Sequence, residues 1–276
     1  MNDEPAGTEE QGSEGKAEGI SPPEELAPPA PRPGAEARPG LRGRLPDITW
    51  SLKDTIWGLI AGLILALLAP IIILPFDPDL DSDAALLAAQ GVFGLCLLAV
   101  PVGIASNWNP DNLRIAWERL GLRRFALSAL GWMLLMLFLY YLFAGLFSQL
   151  VLEPEQDDIS DELGVGDESL LVSVSAVLLI VGLAAISEEL FFRGFVFSGL
   201  RSRMTVLPAA VISGLVFGLV HAPTGITTVI PLAVLGAALA WLYDRTGSLW
   251  PAVIAHALNN GLALAILSSE GTLTWL

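Results

Sequence analysis

Seven apolar stretches, most of them near the length of a bilayer-crossing helix, decide what this 276-residue chain can become. An α-helix needs about 20 apolar residues to cross the hydrocarbon core. The stretches run from Thr55 to Phe76, Ala84 to Ser106, Phe125 to Leu152, Leu170 to Leu200, Val206 to His221, Thr227 to Tyr243 and Ser248 to Ser268. The fifth and sixth are short, which predicts that they tilt or are partly buried by neighbours. A chain that is 53% hydrophobic and 16% charged is too apolar for an ordinary soluble domain. The expected fold class is an all-α polytopic membrane helix bundle of about seven transmembrane helices. Trp50, Trp57, Trp108, Trp241, Tyr243 and Trp250 fall near the predicted ends, where interfacial aromatics sit.

Residues 1–46 differ in kind. They are rich in Glu, Pro, Gly and Ala and poor in aromatic and β-branched residues, so they are expected to be a disordered acidic tail. The membrane domain is expected to occupy 47–276. Much of the net charge of -15 belongs to the tail and to two acidic loops, Asp77 to Asp83 and Glu153 to Glu168. No basic patch is available for nucleic acid. The single cysteine, Cys96, has no partner for an internal disulfide. The first residues are acidic and polar, so no secretory signal is expected ahead of the apolar segments.

Arginines and lysine alternate along the chain. Arg42, Arg44 and Lys53 precede the first stretch, and Arg114, Arg119, Arg123 and Arg124 separate the second from the third. Arg201 and Arg203 follow the fourth, and Arg245 lies between the sixth and seventh. The positive-inside rule then predicts a cytoplasmic N-terminus and an external C-terminus. Between the second and third stretches, Asn109-Pro110 is a helix start, and Leu113, Ala116, Trp117 and Leu120 share one face. That pattern predicts a short amphipathic helix on the membrane surface.

Ionisable groups inside such a bundle are costly and need a reason. Glu188, Glu189 and Arg193 lie inside the fourth stretch. Glu189 and Arg193 are four apart and can pair on one face, whereas Glu188 points elsewhere and needs a partner from another helix. Only two histidines exist, His221 and His256. Counting from the turn at Arg201 and Arg203, Glu188 and His221 each lie about 20 Å up their helices. His256 and Asn260 lie about 12 to 18 Å from the same side. Side chains from three helices therefore converge on one layer. His256 and Asn260 share a face, as do Phe217 and His221, and Gly214 and Gly218 permit close helix approach.

A glutamate, two imidazoles and a carboxamide can activate water and stabilise an oxyanion. Glu188 with His221 would deprotonate a water for attack on an amide, and His256 with Asn260 would hold the oxyanion. No Gly-x-Ser-x-Gly elbow is present, which disfavours a serine nucleophile. Zinc is a competitor, since two histidines and a glutamate can ligate it, although no His-Glu-x-x-His pair exists. A non-catalytic scaffold or immunity protein and a proton-coupled transporter also remain open.

Glu-Glu-x-x-x-Arg at 188–193, Phe-x-x-x-His at 217–221 and His-x-x-x-Asn at 256–260, in this order in a polytopic chain, resemble the CPBP intramembrane proteases. This is the CAAX protease and bacteriocin-processing group, also called Abi. The resemblance covers about residues 165–268. It implies a glutamate-dependent, metal-independent endopeptidase without a cofactor. Glu188 would be the catalytic glutamate, His221 its water-positioning partner, His256 and Asn260 the oxyanion pair, with Glu189 and Arg193 completing the first motif. The implied partners are the bilayer and a membrane-associated peptide or protein substrate, and the style of the sequence points to a bacterial plasma (inner) membrane.

Overall fold

The computed structural model describes residues 44–78, 82–150, 174–175 and 177–270. The expected disordered tail lies almost wholly outside these residues, as do the acidic loop from Glu153 to Glu168 and the first residues of the fourth apolar stretch. The described residues form helices and connecting turns. Seven longer helices correspond to the seven apolar stretches, and one short helix lies between the second and third. They are α1 (Leu52–Leu67), α2 (Asp83–Ala105), α3 (Leu113–Arg119), α4 (Ser128–Leu150), α5 (178–201), α6 (Val206–Val220), α7 (Val229–Thr246) and α8 (Trp250–Glu270). The chain is a helical membrane bundle. Ala84–Ala105, Ser128–Leu150 and Ile226–Thr246 are each long and apolar enough to cross a membrane. Val206–Val220 and Trp250–Ile266 are shorter apolar helices.

Three elements depart from the sequence expectation. The first stretch is not one uninterrupted helix. α1 opens on a capping box between Ser51 and Asp54 and stops at Leu67, and Ala69–Ile72 is a 3-10 turn around Pro70. Proline lacks the N–H that would continue the α-helical ladder. The sixth stretch is not short, because its helical run from Ile226 to Thr246 has 21 residues. Trp50 and Tyr243 are fully buried instead of interfacial, whereas Trp57 and Trp108 are well exposed.

α5 is the axis of the bundle. Every residue from Ser187 to Ser202 is buried. Its ring-bearing residues Phe191, Phe192, Phe195 and Phe197 join Trp50, Leu120, Phe217 and Tyr243 in the larger core cluster. Such helix contacts need small residues, because bundle interfaces in lipid are driven by close packing. On α1, Gly58 faces the Phe195 ring and Gly62 faces the Phe191 ring. On α6, a Cβ at Gly214 or Gly218 would strike the α7 backbone, at Ala233 and Ala237 for the first and at Val229 and Ala233 for the second. The two glycines singled out in the sequence therefore set the α6–α7 approach.

The connection from α2 to α3 folds as anticipated at its start. Asn109 caps the turn Pro110–Asn112, its side chain accepting from the Asp111 N–H. Ala116 and Leu120 are buried on the apolar face of α3. Arg119 is a correction: it points inward, 8% exposed, and donates to the Ala105 carbonyl at the end of α2 over 2.8 Å. Burial lowers its pKa from the usual guanidinium value.

Replacing Gly214 by valine is expected to push α6 off α7. A loss of about 1–3 kcal/mol is anticipated from overpacking, read as a lower thermal unfolding midpoint in detergent. The same substitution at Gly131, which has open space around its Cβ position, is the control and is expected to leave the midpoint nearly unchanged.

Candidate functional site

The helix that carries the two glutamates is irregular in a specific way. Ala185–Glu189 is a single α-helical stretch held between two π-helical ones, Leu178–Ala184 and Leu190–Phe197. π turns are rare, and they occur often at functional sites. A carbonyl without a partner is costly in a bundle core, and at the end of the second stretch the Ser198 N–H reaches both the Arg193 and the Phe195 carbonyls. Four side chains, Ser198 of the helix itself and three from other parts of the chain, add donors to its carbonyls. Asn260 Nδ2 donates to the Ile180 carbonyl at 3.1 Å, Ser213 Oγ to Phe192 at 3.2 Å, Ser198 Oγ to Arg193 at 3.3 Å, and Trp50 Nε1 to Phe195 at 3.3 Å.

Glu189 and Arg193 pair across one turn, with Arg193 Nη1 donating to Glu189 Oε1 at 2.7 Å and both side chains at 0% exposure. The opposite face of the guanidinium lies over the Phe217 ring, 4.3 Å from its centroid, and 5.9 Å from that of Phe192. Cation–π contact stabilises a desolvated guanidinium by about 2 kcal/mol. Glu189 Oε1 also accepts from His256 Nδ1 at 2.8 Å. One carboxylate thus holds α5's own arginine and α8's histidine.

Glu188 points the other way, as the helical rotation requires. Its Oε2 lies 3.8 Å from His221 Nε2 and 3.8 Å from His256 Nε2. The orientation of both rings is fixed from behind. His221 Nδ1 lies 2.7 Å from the Phe217 carbonyl, which only accepts, so Nδ1 carries a proton. His256 Nδ1 faces the Glu189 carboxylate and carries one for the same reason. In the neutral tautomers both Nε2 atoms are acceptors, and both face a third acceptor, Glu188 Oε2. Glu188 Oε2 is buried and has no hydrogen-bond partner among the described residues. Three converging acceptors just beyond direct hydrogen-bond reach suit a small donor molecule such as water, which can offer a hydrogen to two of them. The Glu188 side chain is 11% exposed and that of His221 26%, so the cluster is shielded without being sealed.

Of the six residues expected from sequence, Glu188, Glu189, Arg193, His221 and His256 meet in one cluster. Asn260 stands one turn beyond His256 on the same face of α8, and one of its two amide N–H groups is taken by the Ile180 carbonyl. Its neighbour Asn259 accepts from Tyr141 Oη of α4 at 3.2 Å. Adjacent asparagines therefore tie α8 to α5 on one side and to α4 on the other. Phe217 was expected as an aromatic wall below His221 and is found 4.6 Å from its ring and 5.7 Å from that of His256. Trp50 and Ser213 bind the carbonyls that the π turns present, and no local sequence signal marks that role. Among the described residues no group of three His, Cys, Asp or Glu side chains is arranged to hold a metal ion.

Residues 170–262 match the family described as Type II CAAX prenyl endopeptidase Rce1-like. The chain is also 31% identical over 106 residues to the Bacillus subtilis (strain 168) protein named "Putative membrane peptidase YdiL". That alignment covers 35% of this chain and 43% of the relative, so the chain matches less than half of the relative's length. No solved structure matches.

Arg193→Met is expected to leave the Glu189 carboxylate buried without its cation, which costs about 3–5 kcal/mol. Arg193→Lys keeps the charge but loses the flat stack on Phe217, so a smaller loss is expected. Thermal unfolding of the purified variants in detergent measures both, and equal midpoints for Met and Lys would contradict the charge assignment.

Proposed function

We propose that this chain, whose residues 170–262 match the type II CAAX prenyl endopeptidase Rce1-like family, is a CAAX protease (CPBP)-type intramembrane endopeptidase that hydrolyses a peptide bond with a water activated by Glu188. The observation that carries the reading is the convergence of Glu188 Oε2 with the Nε2 atoms of His221 and His256, 3.8 Å from each. In this scheme the water gives one hydrogen to Glu188 Oε2 and the other to His221 Nε2, which leaves an oxygen lone pair for the substrate carbonyl. As the C–O bond forms, Glu188 takes the proton and the carbonyl oxygen becomes an oxyanion. For His256 to donate to that oxyanion, its Nε2 must first take up a proton from solvent, which leaves Glu188 Oε2 and His221 Nε2 as the two acceptors for the water, with Glu189 facing the other His256 nitrogen. The second N–H of Asn260 is the further donor in this proposal, and preorganised donors of this kind lower the barrier without reorganising. The proton on Glu188 then passes to the amide nitrogen, the C–N bond breaks, and a carboxylic acid and an amine leave.

Arg193 neutralises Glu189 and so lets a carboxylate stand behind His256 inside the bilayer. The proposed substrate is a membrane-associated peptide or protein, since the site lies inside a helical membrane bundle. The distribution of arginines favours an N-terminus in the cytoplasm, and the style of the sequence favours a bacterial plasma (inner) membrane. No cofactor enters the scheme.

The test is cleavage of a quenched membrane peptide, with and without a prenylated cysteine, by the purified chain in proteoliposomes. Glu188→Gln is expected to lower kcat by about 10²–10⁴-fold, the range of general-base catalysis, with an unchanged unfolding midpoint. Cleavage at the parental rate by Glu188→Gln would leave a non-catalytic membrane protein as the better reading. Chelator treatment is expected to leave the rate unchanged, and one zinc per chain by elemental analysis would overturn the metal-free scheme.

A further inference from the structure

A second feature lies away from the glutamates, where α4 and α8 begin. Leu122, Arg123, Arg124, Phe125, Trp250 and Ile254 line a groove of about 550 Å³, within the roughly 300–1,000 Å³ of small-molecule sites. No carboxylate lines it. Arg123 forms its fixed wall. It donates through Nε and Nη2 to the Gly247 carbonyl at 3.2 and 2.6 Å, and through Nη2 to the Arg44 carbonyl at 2.8 Å. Ser248 Oγ in turn donates to the Arg123 carbonyl at 2.6 Å. Gly247 holds this corner with φ 71°, and a Cβ there would meet the Arg44 backbone at 2.8 Å. Arg124 is different. It is exposed and makes no hydrogen bond or ion pair among the described residues. Asp244, near the end of α7, is paired with Arg201 at 2.7 Å.

The apolar part of the groove is equally specific. Trp250 is 37% exposed and Leu127, just past Phe125, is 82% exposed. α4 begins at Ser128 and is one of the three long membrane-crossing helices, with 22% of its apolar window buried in the protein. The groove therefore opens where lipid headgroups meet a spanning helix, with an aromatic at the height where tryptophan is favoured. An unpaired cation above an aromatic and aliphatic wall is the complement of an amphiphile with an anionic head. Basic pockets between transmembrane helices take phosphate headgroups in this way.

We propose that this groove is a binding site for an anionic glycerophospholipid, with the headgroup phosphate on Arg124 and the glycerol and upper acyl chain over Trp250, Phe125 and Ile254. The site is separate from the glutamate cluster and does not depend on the proposed hydrolysis.

The experiment is native mass spectrometry of the full chain released from nanodiscs that hold equal phosphatidylglycerol and phosphatidylcholine. The parent is expected to retain phosphatidylglycerol in preference. Arg124→Glu is expected to weaken that retention by about tenfold or more, since one basic residue near a membrane surface is worth about 1 kcal/mol and reversal counts it twice. Arg124→Lys should recover most of it. Lys53→Glu, at another exposed basic residue, is expected to leave retention unchanged. Equal retention of the two lipids by the parent, or equal losses in Arg124→Glu and Lys53→Glu, would overturn the proposal. Displacement of the lipid by excess glycerol phosphate would also overturn it, since the groove would then be a soluble-phosphate site. Unfolding midpoints of the variants establish that each comparison is between folded proteins.

Discussion

The bundle depends on a carboxylate and a guanidinium buried together with no exposure. An ionised group inside a membrane protein is tolerable only when paired. Glu189 and Arg193 pair within one turn of one helix, so each charge has its counter-ion on its own helix. That local solution frees the second lone pair of Glu189 Oε1 for His256 and turns the guanidinium face to Phe217. α8 and α6 are thereby registered against α5 by contacts to the same ion pair. Glu188, one residue away, is left facing both imidazoles.

The second constraint is the backbone of α5. Two π-helical stretches lie on either side of the glutamates, and side chains add donors to four of their carbonyls. The donors come from α8, α6, α5 itself and the segment before α1. Asn260 fits this pattern on the evidence of its contact with Ile180, and the same side chain has a second N–H for the proposed oxyanion. A single amide that supports the helix and reaches the reacting carbonyl would link the geometry of α5 to the chemistry at Glu188.

Much of this was legible in the sequence, because periodicity and burial cost act locally. The apolar stretches became helices, the i,i+4 relation of Glu189 and Arg193 became a salt bridge, and Gly214 and Gly218 became the points of closest approach. The convergence of Glu188, His221 and His256 followed from counting turns away from a basic loop. What could not be read has a common cause. π-helical turns leave no signature in apolar periodicity, so the carbonyls at Ile180, Phe192, Arg193 and Phe195 and their donors were invisible. Trp50 and Tyr243 looked interfacial because position along the chain was the sole guide to depth, whereas lateral packing put them in the core. Arg119 looked like a surface charge on an amphipathic helix, and it turned inward because the end of α2 offered a carbonyl.

The buried Trp50 has a mechanical meaning. The residues just ahead of the first helix are inlaid in the core, with Leu45 and Ile48 at 7% and 6% exposure, and Trp50 is bonded to a carbonyl of the central helix. Force applied to the amino-terminal arm would meet the bonds of Arg44 to Arg123 and Arg245 and then the Trp50–Phe195 link before it reached any lipid-facing span. The arm is moored to the helix that bears both glutamates, and tension that passed Arg44 would be felt there.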